Sequence, residues 1–189
     1  MKLLIASNNA HKIQEIKQIL HGKFDEILCL AEAGIDCDPE ENGETFLENA
    51  LIKAKEIAKH TTLPVLADDT GLCVNALNGA PGVYSARYAG NHDHEANRQK
   101  LLCQLQNKTD RSAYFETAIA LLYPDGKLVT ASGKVEGYIL HQEEGQNGFG
   151  YDSLFFSTDL GKCFGVATAE EKNAVSHRGR ALQNLLEKL

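Results

Sequence analysis

The chain has 189 residues, of which 43% are hydrophobic and 24% are charged, the composition of an ordinary globular protein with a sizeable core. Its 26 acidic residues outnumber the 19 lysines and arginines, which gives a formal net charge of −7. This balance argues against a broad surface for nucleic acid or for an anionic membrane, since both kinds of surface need excess positive charge.

The sequence also points to a cytoplasmic protein. No apolar stretch approaches the length that spans a membrane, and the N-terminal segment becomes polar at Ser7, too early for a signal peptide. The five cysteines are odd in number and show no paired spacing of metal ligands. We therefore expect a reduced protein with free thiols.

The first half of the chain alternates predicted strands and helices, which is typical of α/β folds. Gly22 is placed to cap the end of the first helix, and Thr45 and Glu48 have the spacing of a capping box at the start of the second. The predicted elements, in chain order, are a strand over 3–6, a helix over 10–21, a strand over 26–30, a helix from the capping box to about residue 60, and a strand over 63–67.

The last of these strands is followed at once by two carboxylates, a hydroxyl and a glycine. The apolar run predicts a buried strand that ends at Ala67, with Gly71 allowing a sharp turn. Ligands of open α/β sheets bind outside the carboxyl ends of the strands, so Asp68 and Asp69 are expected to face a site. A divalent cation would relieve the repulsion between the two aspartates, and an ordinary acidic turn is the alternative.

The second half contains a predicted antiparallel pair of strands. The sequence Pro124–Lys127 is a strong hairpin signal, and an antiparallel pair beside strand–helix–strand units predicts a mixed sheet. The other predictions are a mostly irregular segment over 72–90, a helix over 94–106 capped by Asp93, hairpin strands over 113–123 and 128–136, and a helix over 177–189.

Two polar segments of the first half could bind an anion or a metal. Residues 7–12 (SNNAHK) precede the first helix, where backbone N–H groups favour an anion and Lys12 adds a positive charge; a plain N-capping turn with a solvated lysine is the alternative. The acidic loop over 38–44 could supply a second oxygen ligand to a metal shared with Asp69. Its alternative is a solvated loop that helps the next helix to start.

Two segments of the second half could bind a base. Residues 148–152 (GFGYD) combine a flexible backbone with aromatic rings and a carboxylate, a set that can stack on a nucleobase; a bulged strand with core aromatics is the alternative. Lys172, His177 and Arg178 form the densest local cationic group and could contact a phosphate or a carbonyl. The alternative there is helix capping by Ser176 with incidental surface charges.

These segments follow one another in the order found in a known family. The chain resembles the ITPase family of noncanonical purine nucleoside triphosphate pyrophosphatases, also called the HAM1-like family, from Leu3 to Leu186. The resemblance rests on Ser7–Lys12, Glu41–Phe46 with Glu48–Ala50, Ala67–Leu72, Gly79–Tyr88, Gly148–Asp152 and Ser176–Leu182.

The resemblance implies an Mg²⁺-dependent hydrolase that converts ITP, dITP and XTP to the monophosphate and pyrophosphate, which keeps them out of DNA and RNA. The expected fold is a single α/β domain over residues 1–189, with a central mixed β-sheet flanked by helices and two lobes around an active-site cleft. The expected partner is the purine nucleoside triphosphate, with no nucleic acid and no membrane, and the protein is expected to be a cytoplasmic homodimer.

The resemblance also implies residue roles. Glu41 and Asp69 would hold the metal, and Asp69 would accept a proton, although Asp68 could meet the attacking water instead because a carboxylate bound to Mg²⁺ is a weaker base. Donors on His177 or Arg178 would suit the 6-oxo group of hypoxanthine and xanthine, which adenine lacks. The implied substrate-binding residues are Ser7, Asn8, Asn9, Ala10, His11, Lys12, Thr70, Phe149, Gly150, Tyr151, Asp152, Lys172, His177 and Arg178.

Two other functions share part of this pattern. A related pyrophosphatase of the Maf type would act on other modified or canonical triphosphates, and a non-catalytic module would bind ITP without cleaving it. The carboxylates Glu41, Asp68 and Asp69 favour hydrolysis, because binding a polyphosphate needs fewer negative groups beside it.

Overall fold

The computed structural model describes residues 1–90 and 92–189, and within them the chain forms one seven-stranded sheet in the order β2-β1-β3-β4-β5-β6-β7. Parallel and antiparallel pairs both occur, which confirms the predicted mixed sheet flanked by helices. In this described part, no helix is long and apolar enough to cross a membrane. The elements are β1 Lys2–Ile5, α1 Ala10–Ile19, β2 Glu26–Cys29, α2 Phe46–Ala58, β3 Val65–Val74, α3 His94–Leu105, β4 Ser112–Leu122, β5 Leu128–Ile139, β6 Phe155–Ser157, β7 Lys162–Cys163, α4 Ala169–Val175 and α5 His177–Leu186, with short 3₁₀ helices at Asn75–Leu77, Gly82–Arg87 and Asp152–Leu154.

Local capping signals begin the helices where they were predicted. The backbone N–H of Glu48 donates to Thr45 Oγ1 at 3.2 Å, and Glu48 Oε2 accepts from the Thr45 N–H at 3.2 Å, which completes the capping box of α2. Asp93 caps α3 as expected. The predicted cap at Gly22 is wrong, because α1 ends at Ile19 with Leu20 as its C-cap, and Gly22 lies two residues further on, in the following turn, with a φ of +74°.

The strand that carries the two aspartates is longer than predicted. β3 does not end at Ala67 but continues through Asp68, Asp69 and Gly71 to Val74, and of its ten residues only Thr70 is partly exposed. The expected turn at Gly71 is therefore wrong. Polar side chains do not have to end a buried strand when they find buried partners, since partners offset the cost of removing charge from water.

The second half confirms the hairpin and adds elements that were not predicted. The Tyr123 N–H donates to the Lys127 carbonyl at 2.8 Å, closing the turn between β4 and β5. The segment over 72–90 is less irregular than expected, because it holds the end of β3 and two 3₁₀ helices. The unpredicted elements are the short strands β6 and β7 and the helix α4, which begins at the capping box of Thr168 and Glu171.

One compact unit comprises Met1–Asp69, Thr117–Gly133 and Arg180–Leu189. In it β1 pairs in parallel with β2 and with β3, Leu4 lying opposite Val65. Side chains of α1 and α5 pack with Leu66 in one core, and side chains of α2 pack with Val65 and Ala67 in another. Because successive side chains of a strand point to opposite faces, α1 and α2 cover opposite faces of β3.

The second unit comprises Thr70–Glu116 and Lys134–Gly179. It holds the antiparallel pairs β5–β6 and β6–β7. Its core is aromatic: the ring centroids of Phe115 and Phe155 lie 4.7 Å apart, and those of Phe155 and Phe164 lie 5.2 Å apart. Tyr151, from the segment 148–152, belongs to the same core.

Gly137 lets β5 approach β6 closely, and this contact is testable. A Cβ added there would lie 2.0 Å from the backbone oxygen of Phe156 and 2.7 Å from Cζ of Phe155. We expect Gly137→Ala to lower the free energy of unfolding by about 2–3 kcal/mol, measured by urea denaturation, because the strands must separate. Ser132→Ala, at an exposed position of the same strand, is the control; equal losses in the two variants would contradict the steric explanation.

Candidate active site

Asp68 and Asp69 are neighbours in the chain but have different partners. Asp68 continues the face of β3 that α1 covers, and its Oδ2 lies 3.3 Å from Nζ of Lys12 on that helix. Asp69 continues the opposite face, and its Oδ2 accepts a hydrogen bond of 2.9 Å from Nδ2 of Asn49 on α2. Both carboxylates are buried, with exposed fractions of 2% and 6%. The strand thus gives the two groups distinct chemical surroundings.

The segment over 7–12 forms the N-cap of α1. Asn9 Oδ1 accepts from the backbone N–H groups of His11 and Lys12 at 3.0 and 3.1 Å, and Ser7 Oγ accepts from the Asn9 N–H at 3.1 Å. Asn8 reaches the Cys37 carbonyl at 3.4 Å. The N-cap is therefore confirmed, but the solvated lysine of that alternative is wrong, because the Lys12 side chain is only 15% exposed. Lys12, which pairs with Asp68, is the positive group that this segment offers to an anion.

The electrostatics of Asp69 distinguish it as a reactive group. Burial raises the pKa of Asp69 above its ordinary value, and the negative charge of Glu41 raises it further. The positive charges of Lys12 and Lys53 and the hydrogen bond from Asn49 offset part of that rise in the pKa of Asp69. A buried carboxylate with a raised pKa is a better proton acceptor than an exposed one.

Sequence reasoning missed two residues of this cluster, Asn49 and Lys53, which lie one turn apart on α2. Both are buried, and Lys53 Nζ donates to the backbone oxygen of Asp68 at 2.6 Å and lies 3.2 Å from Oε2 of Glu41. The available signal was their spacing, which aligns them with the buried apolar stripe of Ala50, Ala54 and Ile57.

The carboxylates of Glu41 and Asp69 fit a hard divalent cation. Among residues 1–90 and 92–189, no group of three or more His, Cys, Asp or Glu side chains is arranged to hold a metal. Mg²⁺ usually takes only one or two protein carboxylates and fills its other positions with water and phosphate oxygens. The repulsion that helps raise the pKa of Asp69 is what such a cation would relieve. Two carboxylates therefore suit Mg²⁺ better than they suit a metal that needs all of its ligands from the protein.

A second cluster, in the other unit, joins Phe149, Asp152 and Lys172. Lys172 Nζ lies 2.6 Å from Oδ2 of Asp152, and both residues are buried. The same ammonium lies 4.9 Å from the ring centroid of Phe149, whose backbone N–H donates to Asp152 Oδ2 at 3.0 Å. A Cβ on Gly148 would lie 2.1 Å from that oxygen, so the loop needs glycine there. The loop is thus held in one conformation.

His177 and Arg178 begin α5 in the same unit. Arg178 is fully buried and its Nη2 donates to Thr70 Oγ1 at 3.0 Å; the ring of His177 stacks on Phe115 with centroids 4.7 Å apart. Ser176 caps this helix by accepting from the Gly179 N–H at 3.1 Å, as the capping alternative held. The idea of incidental surface charges is wrong, because Lys172, His177 and Arg178 are all buried.

Within residues 148–152, the two aromatic rings have different surroundings. Tyr151 is 5% exposed, and its hydroxyl donates to the Ser85 carbonyl at 2.7 Å, so its ring belongs to the core; Phe149 stays partly exposed. Burial raises the pKa of Tyr151, which keeps that hydroxyl a donor at neutral pH. Arg98, a residue missed from the sequence, donates to the Gly150 carbonyl at 3.0 Å.

The predicted residues therefore form two clusters with different chemistry. The first combines carboxylates with lysines, a set suited to a metal and a polyphosphate; the second combines a partly exposed ring with buried donors, a set suited to a flat base that carries oxygen atoms. Ser7, Asn8, Asn9, Ala10, His11, Lys12, Glu41 and Asp69 belong to the unit of the first cluster; Thr70, Phe149, Gly150, Tyr151, Asp152, Lys172, His177 and Arg178 belong to that of the second.

Known proteins resemble the chain over its whole length. A sequence model of the Ham1 family matches residues 3–188. The dITP/XTP pyrophosphatases of Clostridium perfringens and Leuconostoc mesenteroides are 50% and 49% identical to it, over 100% of this chain and 97% and 96% of those proteins. The solved structure of the Staphylococcus aureus Ham1 protein has a TM-score of 0.87 and 44% identity, covering 100% of this chain and 99% of that one. A HAM1 protein from Coxiella burnetii has a TM-score of 0.88 and 39% identity, with both chains fully covered.

The raised pKa of Asp69 has a measurable effect on stability. Because its pKa is higher in the folded protein than in the unfolded chain, folding loses stability as the pH rises through that raised pKa. We expect Asp69→Asn to raise the thermal midpoint of the metal-free protein at pH 7 by a few degrees, at roughly 2–4 °C per kcal/mol.

The difference should shrink as the pH falls toward the ordinary pKa of an aspartate, about 3.9, and vanish below it, where Asp69 is protonated in both states. Calorimetry in a chelating buffer measures it, with Asp125→Asn in the exposed hairpin turn as control. A lower midpoint for Asp69→Asn at pH 7 would contradict the assigned direction of the pKa shift.

Proposed function

Since the chain belongs to the Ham1 family, we propose that it hydrolyses noncanonical purine nucleoside triphosphates, including dITP, XTP and ITP, to the monophosphate and pyrophosphate. Removal of these nucleotides from the pool prevents their incorporation into DNA and RNA. The observation that carries the proposal is the identity of about half of all residues, over the full chain, with dITP/XTP pyrophosphatases. The two clusters supply the groups that the reaction needs.

The first cluster is proposed to bind the triphosphate. Lys12 would contact a phosphate oxygen, with the backbone of residues 7–12 beside it, and Lys53 would hold the Glu41 carboxylate in place at 3.2 Å. Glu41 and Asp69 would hold Mg²⁺, which when bound offsets phosphate charge and orients the reacting phosphate. The ion pair between Lys12 Nζ and Asp68 Oδ2, at 3.3 Å, would hold the ammonium of Lys12 near its place before the substrate arrives.

We assign the proton acceptor to Asp69 rather than to Asp68. Attack of water on the α-phosphorus forms one P–O bond and breaks the bond to pyrophosphate, while a proton leaves the water. The family resemblance gives this role to Asp69, and burial, the largest cause of the raised pKa of Asp69, favours its protonated form; bound Mg²⁺ would oppose that rise. Asp68 has a different part, because its side chain pairs with Lys12 and its backbone oxygen accepts from Lys53.

The second cluster is proposed to recognise the base. Phe149 would stack on the purine, and Asp152, Lys172, His177 and Arg178 would address its polar edge, with Thr70 and the backbone of Gly150 and Tyr151 nearby. Hypoxanthine and xanthine carry a 6-oxo group that accepts from buried donors, whereas the 6-amino group of adenine would leave those donors unpaired. The stacking of His177 on Phe115 and the hydrogen bond from Arg178 to Thr70 would fix the orientation of these donors.

We further propose that residues 1–189 act as one catalytic domain, in a cytoplasmic homodimer. Neither nucleic acid nor a membrane is a proposed partner, and the net charge of −7 supports this. The five free cysteines are consistent with a reducing compartment.

Asp69→Asn tests the assigned reaction and its proton acceptor. We expect the rate of pyrophosphate release from dITP with Mg²⁺ to fall at least about 10³-fold, because an amide cannot accept the proton. Ion-exchange chromatography of the products of dITP, XTP, ITP, ATP and GTP measures it, with Asp125→Asn as the control that keeps full activity.

The outcomes separate the candidate functions. Near-normal pyrophosphate release by Asp69→Asn would rule out Asp69 as the acceptor. Preference of the wild type for ATP or GTP would favour a pyrophosphatase of another specificity, and tight binding of dITP without product would favour a non-catalytic module.

His177→Phe tests base recognition. Phenylalanine keeps the ring on Phe115 but removes both imidazole nitrogens, so we expect the ratio of kcat/KM for ITP over ATP to fall about 10-fold, the value of one hydrogen bond. His177→Gln, which retains a donor, should lose less. An unchanged ratio for His177→Phe would remove His177 from base recognition.

A further inference from the structure

The side-chain amide of Asn49 connects the two carboxylates proposed to hold the metal. Asn49 is fully buried on α2, where Nδ2 donates to Asp69 Oδ2 at 2.9 Å and Oδ1 accepts from the Gly43 backbone N–H at 2.8 Å. Gly43 lies two residues after Glu41 in the acidic loop. One amide therefore ties the strand that carries Asp69 to the loop that carries Glu41.

The loop approaches α2 closely enough for this contact because residue 43 is glycine. A Cβ on Gly43 would lie 2.8 Å from Asn49 Oδ1 and 2.8 Å from Cβ of Glu48. The neighbouring Glu44 N–H donates to Glu48 Oε2 at 2.7 Å. Two successive side chains of the first turn of α2 thus fix two successive backbone groups of the acidic loop.

Only an amide of this length satisfies both contacts. It donates at one end and accepts at the other, and it carries no charge that would repel Asp69 or attract a proton. An aspartate at position 49 would lose the donor and add a third negative charge, and a leucine would make neither contact. The like charges of Glu41 and Asp69 repel, and without the amide only the Lys53 ion pair with Glu41 and the Glu48 bond to Glu44 would hold the loop against that repulsion.

We propose that Asn49 is a positioning residue that pre-organises Glu41 and Asp69 for a divalent cation. The inference rests on the proposed function, because it assumes these two carboxylates as the metal ligands. Groups that orient metal ligands typically contribute about 10–100-fold to metal affinity. Removal of the amide therefore weakens metal binding first and leaves base recognition unchanged.

The experiment measures metal binding without nucleotide. Mn²⁺ is titrated into the wild type, Asn49→Leu and Gly43→Ala, and free Mn²⁺ is followed by electron paramagnetic resonance. We expect both variants to bind Mn²⁺ about 10-fold more weakly. In dITP hydrolysis, the Mg²⁺ concentration for half-maximal rate should rise by a similar factor, while the ITP-over-ATP ratio at saturating Mg²⁺ stays within about 2-fold.

The matched control is Asn97→Leu in the other unit. Asn97 is also a buried amide, which accepts from the Ala89 N–H at 2.7 Å and donates to the carbonyls of Ser85 and Ala86. It should lose comparable folding stability but bind Mn²⁺ like the wild type. If Asn97→Leu weakened Mn²⁺ binding as much as Asn49→Leu does, the effect of Asn49→Leu would be explained by general loss of stability, and the proposal would be overturned.

The remaining outcomes are also decisive. Wild-type Mn²⁺ affinity in Asn49→Leu overturns the proposal; if that variant does not fold, the affinity of Gly43→Ala decides in the same way. Glu41→Gln and Asp69→Asn separate the two levels of inference. If these leave Mn²⁺ binding unchanged, the metal assignment of the proposed function fails, whereas if they weaken it and Asn49→Leu does not, the role of Asn49 alone fails.

Discussion

Two ionisable carboxylates lie side by side in the interior of β3, and their burial governs what surrounds them. A buried charge is costly unless it is paired and hydrogen-bonded, so the helices on both faces of the strand must carry polar groups inward. Lys12 forms an ion pair with Asp68, and Asn49 donates a hydrogen bond to Asp69. Lys53 donates to the backbone oxygen of Asp68 and also pairs with Glu41 of the acidic loop. The core of this unit is therefore built to hold negative charge as much as to exclude water.

In the second unit, the buried charged groups include cations, and these also have polar partners. Lys172 is held by Asp152 and lies near two aromatic rings, and Arg178 bonds to Thr70 with no exposed surface. A ligand that lacks an acceptor for a buried donor binds with a large loss of free energy, because no water replaces the missing acceptor. In the proposed function, rigid burial of these groups would support discrimination between oxygen and nitrogen on a purine more than it would support affinity.

Local signals predicted much of the fold, and tertiary contacts account for the rest. The capping box at Thr45 and the hairpin at Pro124 act within a few residues, so both were predictable. The extension of β3 was not, because Asp68 and Asp69 read as the end of an apolar run until their partners are known. Asn49 and Lys53 have the spacing of the buried stripe of α2, but their polarity predicts exposure, and the charges opposite them explain why they are buried.

The alternation of faces along β3 has an evolutionary consequence. The pairing of β3 with β1, in which Leu4 lies opposite Val65, sets the register of β3. The number of residues between Val65 and the aspartates then decides which aspartate faces α2. Loss or gain of a single codon between Val65 and Asp69 would exchange the surroundings of the two carboxylates, since a shift of one residue moves every side chain to the other face. We therefore expect the length of this stretch to vary less among related chains than the identity of its apolar residues.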